Sequence, residues 1–157
     1  MKNIMTFENY TEHNGQTFWG DIGAGILPVC IETKRILVGY RSIHVLEPNT
    51  YGVFGGKLDL DEGIDETIKE ACLRELEEET RYRGEIDLVD AYVFKSGNFT
   101  YYNFFGIVPN EFEPELDWEN EDAIWITLEE LINLKKKHFG LEALLKNSME
   151  ILKNILK

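Results

Sequence analysis

GGKLDLDEGIDETIKEACLRELEEETRY, Gly55 to Tyr82, runs from a glycine pair and a lysine through an acidic loop into a helix. The helix is expected from about Asp65, as its N-cap, to Thr80. On a wheel of 100° per residue, Ile64, Ile68, Ala71 and Cys72 share one face, so the first half buries that face. In the second half the same face carries Glu75, Glu78 and Glu79, which neighbour one another at i, i+3 and i+4. Lys69, Glu70, Arg74, Glu77 and Arg81 fall outside and form solvent pairs such as Glu70 with Arg74. A solvated charge run would turn its glutamates outward, whereas the apolar stripe turns these three inward or toward a cleft. Like charges at this spacing cost about 0.2–0.5 kcal/mol per pair even when exposed. Partial burial raises that cost or pushes the pKa values up. A divalent cation relieves both, and Mg²⁺ favours a few carboxylates plus waters and phosphate oxygens. Gly55-Gly56 allows backbone to approach such a metal or its substrate.

Outward from this stretch, paired strands dominate. FWGDIGAGILPVCI, residues 18 to 31, is rich in β-formers, with Gly23 and Gly25 marking close backbone approach or a bulge. Glu32-Thr33-Lys34 reads as a turn and RILVGY, Arg35 to Tyr40, as the returning strand of a hairpin. Arg41 to Asn49 is a loop, and Tyr51 to Phe54 a short strand leading to Gly55. Gly84 marks the stop after the helix. Ile86 to Lys95 and Thr100 to Val108 are strands around Ser96-Gly97-Asn98. Residues 109 to 122 form an acidic loop, followed by a strand at Ala123 to Ile126. Thr127 with Glu130 makes a capping box, and Leu141 to Lys157 repeats apolar residues at helical spacing. This order predicts an α/β fold, a mixed sheet covered by helices, in a single domain over residues 1–157.

Composition narrows the function. The chain has 157 residues, enough for one real core, and a formal net charge of −13. A domain this acidic repels polyanions, so coating of nucleic-acid polymers is disfavoured. A small phosphorylated substrate stays compatible if metal ions neutralise the local charge. Cys30 and Cys72 sit in apolar runs without a CxxC partner and read as buried free thiols of a reducing compartment. The polar N-terminus has no signal-peptide core and no apolar run approaches a membrane span, so a cytoplasmic location is expected. His13, His44 and His138 lack ligand spacing, and no Ser-His-Asp or Cys-His nucleophile system stands out.

The residues of the quoted stretch resemble the Nudix box: Gly, five residues, Glu, seven residues, then Arg-Glu-apolar-x-Glu-Glu-x-Gly-apolar. Arg74-Glu75-Leu76-Glu77-Glu78-Glu79 matches its core, and seven residues separate Arg74 from Glu66. Tyr51-Gly52-Val53-Phe54-Gly55-Gly56-Lys57 resembles the lead-in; Arg41, Ser42 and Pro48 lie where such members often carry these residues. The acidic run and Trp125 to Leu131 resemble the later segment, so the likeness spans roughly residues 20 to 135. There are two departures. Arg81 stands where the pattern has glycine, and the loop from Gly56 to Glu66 is four residues longer, so Glu62 and Glu66 compete for the first Glu position.

The resemblance implies a Nudix-like α/β/α sandwich and hydrolysis of a nucleoside diphosphate-linked compound with Mg²⁺ or Mn²⁺. By position, Glu75 and Glu79 would be the main metal ligands, Glu78 would add a ligand or bridging water, and the Gly56 carbonyl would complete the shell. Arg74 would orient carboxylates through a salt bridge to Glu66, and Lys57 would meet phosphate charge, with Arg41 and Tyr51 as further substrate contacts. A general base from a later loop would be Glu119 or Glu121. Tyr51, Tyr101, Tyr102, Phe104 and Trp118 could stack on a base, although sheet-face or core positions suit most of them. A nucleoside triphosphate, a nucleotide sugar and a dinucleotide all remain open as substrates. The alternatives are a Nudix-fold nucleotide-binding module without catalysis and an unrelated acidic scaffold. Intact carboxylates in the box argue against the first. The apolar C-terminal helix and N-terminal strand could serve a homodimer.

Overall fold

The computed structural model describes residues 22–58 and 67–157. The expectations for Glu62, Glu66, the Asp65 cap, Ile64, His13 and the start of the first strand lie outside the described residues.

β1 (Ile22–Cys30) is buried along almost its whole length, which its run of small and β-branched residues permits on both faces. β6 (Phe99–Val108) runs parallel to it from the Ile22↔Thr100 pair to Cys30↔Val108. β2 (Arg35–Arg41) returns after a turn closed by Lys34 N–H on the Cys30 carbonyl, with Lys34 at φ 60°. The expected hairpin holds only at its base, through Val29↔Ile36 and Cys30↔Arg35. Beyond that base the strands take new partners. β1 pairs with β4 (Phe54–Lys57), and β2 pairs with β3 (Tyr51–Gly52) and β7 (Asn120–Ile126). β5 (Asp87–Ser96) completes a seven-stranded mixed sheet by pairing with β6. β7 starts three residues earlier than the sequence suggests, because pairing with β2 recruits Asn120, Glu121 and Asp122 from the acidic stretch. Tertiary pairing overrides their weak strand propensity.

Helices cover both faces. α1 (Ile68–Thr80) packs Ile68, Ala71, Cys72 and Leu76 on Ala24, Ile26, Phe54, Tyr102 and Phe104. α2 (Leu128–Asn133) and α3 (Phe139–Ile155) cover the other face, where Leu131, Leu141, Leu144 and Leu152 meet Leu27, Val29 and Phe105. The period of two along β1 and β6 therefore deals alternate residues to the two layers. Each fully buried Leu, Ile or Phe contributes about 1.5–3 kcal/mol, so both layers stabilise the sheet between them.

The N-cap of α1 is Thr67 rather than Asp65. Thr67 Oγ1 accepts the Glu70 N–H and Glu70 Oε1 accepts the Thr67 N–H. This capping box uses the carboxylate expected to pair with Arg74. At the other end Arg81 adopts a left-handed conformation, φ 66°, and donates its N–H to the Glu77 carbonyl. That is the conformation glycine favours at a helix end, so the turn is kept despite the substitution. A bulge in β5 falls between Asp90 and Tyr92. It leaves the Ala91 carbonyl for Ser148 Oγ at 3.0 Å, where α3 is kinked. Cys30 and Cys72 are both buried free thiols. Among the described residues no helix is long and apolar enough to cross a membrane.

Candidate active site

The parting of β1 from β2 opens a wedge in the sheet, and the second half of α1 fills it. Glu79 is 3% exposed. Its Oε2 accepts the Gly55 N–H of β4 at 2.7 Å, and its Oε1 accepts from Asn120 Nδ2 of β7 at 3.1 Å. Burial pushes its pKa well above the ordinary glutamate value; Glu119 and Glu75 push the same way, and the Gly55 N–H offsets part of this. Glu75, one turn earlier, is 8% exposed and is also shifted up by burial, against the pull of Arg74. A Cβ on Gly56 would lie 2.5 Å from Glu75 Oε1, so a side chain there would push that carboxylate from its place against the backbone.

Arg74 ties the cluster together. Nη1 lies 2.9 Å from Glu75 Oε1 and 3.2 Å from Glu78 Oε2, while Nη2 donates to the Lys57 carbonyl at 3.0 Å. The arginine thus faces the site rather than solvent, because its long stem can reach past the helix edge. Glu78 does not share the burial of its neighbours. Its side chain is 53% exposed, at the rim of the stripe, since the wheel sets it 60° from Glu75 on the side away from Glu79.

Of the two acidic-loop candidates, Glu119 reaches the cluster. It faces Glu79, whose pKa it pushes up, and its own pKa is raised by burial and by Asp117. Glu121 is exposed at the register shift of β7 opposite Tyr40 and Arg41, on the other side of Asn120. Ser42 fastens the Glu119 segment: its N–H donates to the Glu119 carbonyl and its Oγ to the Trp118 carbonyl.

The donors gathered here are all oxygens: Glu75, Glu79, Glu119 and the backbone at Gly56. Buried carboxylates held close with one arginine between them suit a hard cation such as Mg²⁺ or Mn²⁺. Among the described residues no three ligating side chains are already drawn into a cage. A partial protein shell fits Mg²⁺, which keeps waters and borrows phosphate oxygens.

Beside the cluster lies a cavity of about 460 Å³. Glu79, Gly55 and Gly56 line one end, and Arg41 with Leu46 and Glu47 line another part. Tyr101 packs over Gly23, Gly25 and Gly55; a Cβ at any of the three would collide with its ring. Arg41 donates to the carbonyls of Leu46 and Glu47, shaping the loop at this edge. His138 caps α3: its Nδ1 accepts the Gly140 N–H and its Nε2 lies 3.1 Å from Glu47 Oε2. The proton of the neutral ring is therefore on Nε2, and burial and then Arg41 shift its pKa down. Tyr51 is not brought to this cavity. Its ring packs on Tyr40, 4.8 Å between centroids, while its backbone holds Lys136 and His138. Lys57 is exposed at the end of β4. Tyr102 and Phe104 face the α1 core, and Trp118 is exposed. Asn103, Asn120, Phe94, Phe99 and Phe139 enter the site without having been singled out in the sequence, and His138, set aside there for want of ligand spacing, lines the cavity. A signal existed for Asn103, a lone amide in the apolar strand TYYNFFGIV.

The family model described as the NUDIX domain matches residues 21–147. The chain belongs to the Nudix family. A Nudix hydrolase from M. smegmatis, RenU, has the same fold at 17% identity, with a TM-score of 0.71 over 88% of this chain and 89% of that one. A MutT protein from Methanosarcina mazei Go1 matches at 20% identity and TM-score 0.66, covering 85% and 93%. A bifunctional NMN adenylyltransferase/ADP-ribose pyrophosphatase from Francisella tularensis, complexed with AMP and a Mn ion, matches at 20% and 0.60. There 93% of this chain spans 47% of the larger protein. No curated protein sequence matches. In the Nudix frame, Arg74 to Glu79 is the core of the box, and the wedge between β4 and β7 is where its buried glutamates lie.

Proposed function

We propose that the chain is a Mg²⁺- or Mn²⁺-dependent hydrolase that cuts a pyrophosphate bond in a nucleoside diphosphate-linked small molecule. The observation that carries this reading is the pair of buried glutamates, Glu75 and Glu79, set against Gly55-Gly56 with Glu119 facing them. Glu75, Glu79 and the Gly56 carbonyl would hold the metal, with Glu78 at the rim able to act through water. When bound, the metal would polarise phosphoryl oxygens and lower the pKa of a bound water. Asn120 and the Gly55 N–H fix the Glu79 carboxylate, and Arg74 fixes Glu75, so the ligand set is pre-oriented. Glu119, beside the cluster and with its pKa raised by burial, is suited to take the proton of the attacking water as oxygen bonds to phosphorus and the leaving phosphate departs. Arg41 and Lys57, at the edges, would meet phosphate charge. The test is release of phosphate or nucleoside monophosphate from a panel of nucleoside triphosphates, nucleotide sugars and dinucleotides with Mg²⁺ or Mn²⁺. Turnover of none of them with either metal sinks the proposal.

A further inference from the structure

Glu119 stands on a turn, yet both peptide groups that flank its Cα are held by hydrogen bonds. In the group joining residues 118 and 119, the Trp118 carbonyl accepts from Ser42 Oγ at 2.8 Å and the Glu119 N–H donates to Asp117 Oδ1 at 3.0 Å. In the group joining residues 119 and 120, the Glu119 carbonyl accepts the Ser42 N–H at 2.9 Å. Planar peptide groups fixed on either side of one Cα fix its φ and ψ, and with them the direction of its Cα–Cβ bond. Ser42 supplies two of these three bonds. It is 5% exposed, and its hydroxyl also accepts the His44 N–H at 3.2 Å.

The surroundings make this grip necessary. β2 and β7 change register just before it: Tyr40 pairs with Asp122 and Arg41 with Asn120, so Glu121 is the extra residue of a bulge. Glu121 goes to solvent, while Asn120 reaches Glu79 Oε1 at 3.1 Å. β7 ends at Asn120, and residues 118 and 119 form the turn beyond it. Trp118 does not anchor that turn by burial, since it is 63% exposed. Glu119 also shares its surroundings with Glu79, Glu75 and Asp117, and like charges drive such a turn outward. The bonds from Ser42 oppose that drift.

We infer that Ser42 is the positioning residue for Glu119: its N–H and its hydroxyl, holding two consecutive carbonyls, keep that carboxylate facing Glu79. The inference rests on the proposed hydrolase reading, in which Glu119 takes the proton of the attacking water. Ser42 is not among the described residues that line the cavity, so it acts on the rate of the chemical step and not on substrate binding.

The experiment is a double-mutant cycle in steady-state turnover, on whichever nucleotide of the panel the wild type cuts fastest. Ser42→Ala removes the hydroxyl and keeps the N–H. It should lower kcat about tenfold and leave KM within about twofold, since a misplaced reacting group costs rate and not affinity. Glu119→Gln alone should lower kcat by about 10²- to 10⁴-fold, a residual rate read at raised enzyme concentration. In that background Ser42→Ala should cost less than about twofold, because no base is left to position. Ser148→Ala is the control. Ser148 is 2% exposed and also donates its hydroxyl to a carbonyl, that of Ala91 at 3.0 Å, in the layer of α3. Its kcat should match wild type. Wild-type kcat in Ser42→Ala overturns the assignment. So does a loss that persists undiminished in Glu119→Gln, or one that Ser148→Ala reproduces. Should Ser42→Ala fail to fold, Ser42→Cys, whose thiol is a weak donor, goes through the same cycle with the same outcomes decisive. Wild-type turnover in Glu119→Gln overturns this inference alone and leaves metal-dependent hydrolysis standing. Absence of turnover by the wild type refutes the hydrolase reading, and the positioning role falls with it.

Discussion

Glu79 and Glu111 are the same residue type held at two ends of one sheet, and their surroundings drive them in opposite directions. Glu111 receives Arg35 in a two-pronged grip, Nε on Oε2 at 2.7 Å and Nη2 on Oε1 at 2.6 Å, and Thr33 Oγ1 on Oε2. The hydrogen bonds from Arg35 hold its carboxyl below the usual range. Glu79 receives only neutral donors and faces Glu119 and Glu75, and its pKa is driven up. A carboxylate whose charge is matched by an arginine closes the fold between the β2 turn and the 109–119 segment. A carboxylate left buried among its own kind carries a cost that a cation would remove, as the proposed function requires.

The largest effect expected from the contrast is on catalysis. Glu79→Gln keeps the shape and an oxygen for the Gly55 N–H but removes the charge. Turnover should fall by about two orders of magnitude or more, given that even outer-shell partners of metal ligands are worth 10–100-fold. The circular dichroism spectrum should stay unchanged. Near-normal turnover in a steady-state assay would remove Glu79 from the chemistry.

Metal binding comes next. With Mg²⁺ or Mn²⁺ at about 100 times its dissociation constant, the folded state gains about 2.7 kcal/mol, seen as a rise in melting temperature of several degrees. Glu111→Gln should keep that rise and Glu79→Gln should lose most of it. Calorimetric scans with excess metal in which wild type does not shift would contradict the cation reading of the cluster.

The Glu79 side of this contrast is legible in the chain; the Arg35–Glu111 pair, 76 residues apart, is not. The 3.6-residue wheel separates Glu75 and Glu79 from solvent because Ile68, Ala71, Cys72 and Leu76 fix which face is buried. It overstates Glu78, which lies at the edge of the stripe where a small rotation decides exposure. The capping box Thr127–Glu130 is legible as T-x-x-E, and Thr67–Glu70 carries the same pattern two residues after Asp65, a residue type that also favours a cap. Asn120 was hidden for a different reason. Its side chain reaches Glu79 only because β7 pairs with β2 across a long separation in sequence, which no local pattern encodes. The alternation that puts Phe99, Tyr101 and Asn103 on one face was readable, but which face borders a cavity depends on α3 packing there.

A third and smaller effect is the sign of the pH dependence of stability in metal-free protein. For Glu75 and Glu79 the folded pKa lies above the unfolded one. Below the unfolded value both states are protonated and nothing is lost. As pH rises from the unfolded value through the folded one, the unfolded chain gives up its protons first, so stability falls. For Glu111 the folded pKa is depressed, so its contribution is complete above the unfolded value and disappears as pH drops through the folded one. Chemical denaturation across the acid-to-neutral range after chelation should show both limbs. Glu79→Gln should flatten the limb above the ordinary glutamate value, and Glu111→Gln the limb below it. Exchanged effects would invert the assignment of the two residues.

The smallest effect belongs to Glu111 at neutral pH. Its partner Arg35 is 42% exposed, and ion pairs reached by solvent contribute little because water screens them and two side chains must be held still. Glu111→Gln should lower the melting temperature by no more than a few degrees. The amide can still accept one guanidinium N–H, which limits the loss further. Turnover and the metal-induced shift should match wild type, because Glu111 contacts Thr33 and Arg35 at the end of the sheet where β1 and β2 still pair, away from the wedge that holds Glu79. Steady-state assays beside melting curves decide it. A variant that melts near wild type but has lost turnover would mean that the Arg35–Glu111 grip positions the 109–119 segment, and with it Glu119, so that charge pairing at one end of the sheet governs chemistry at the other.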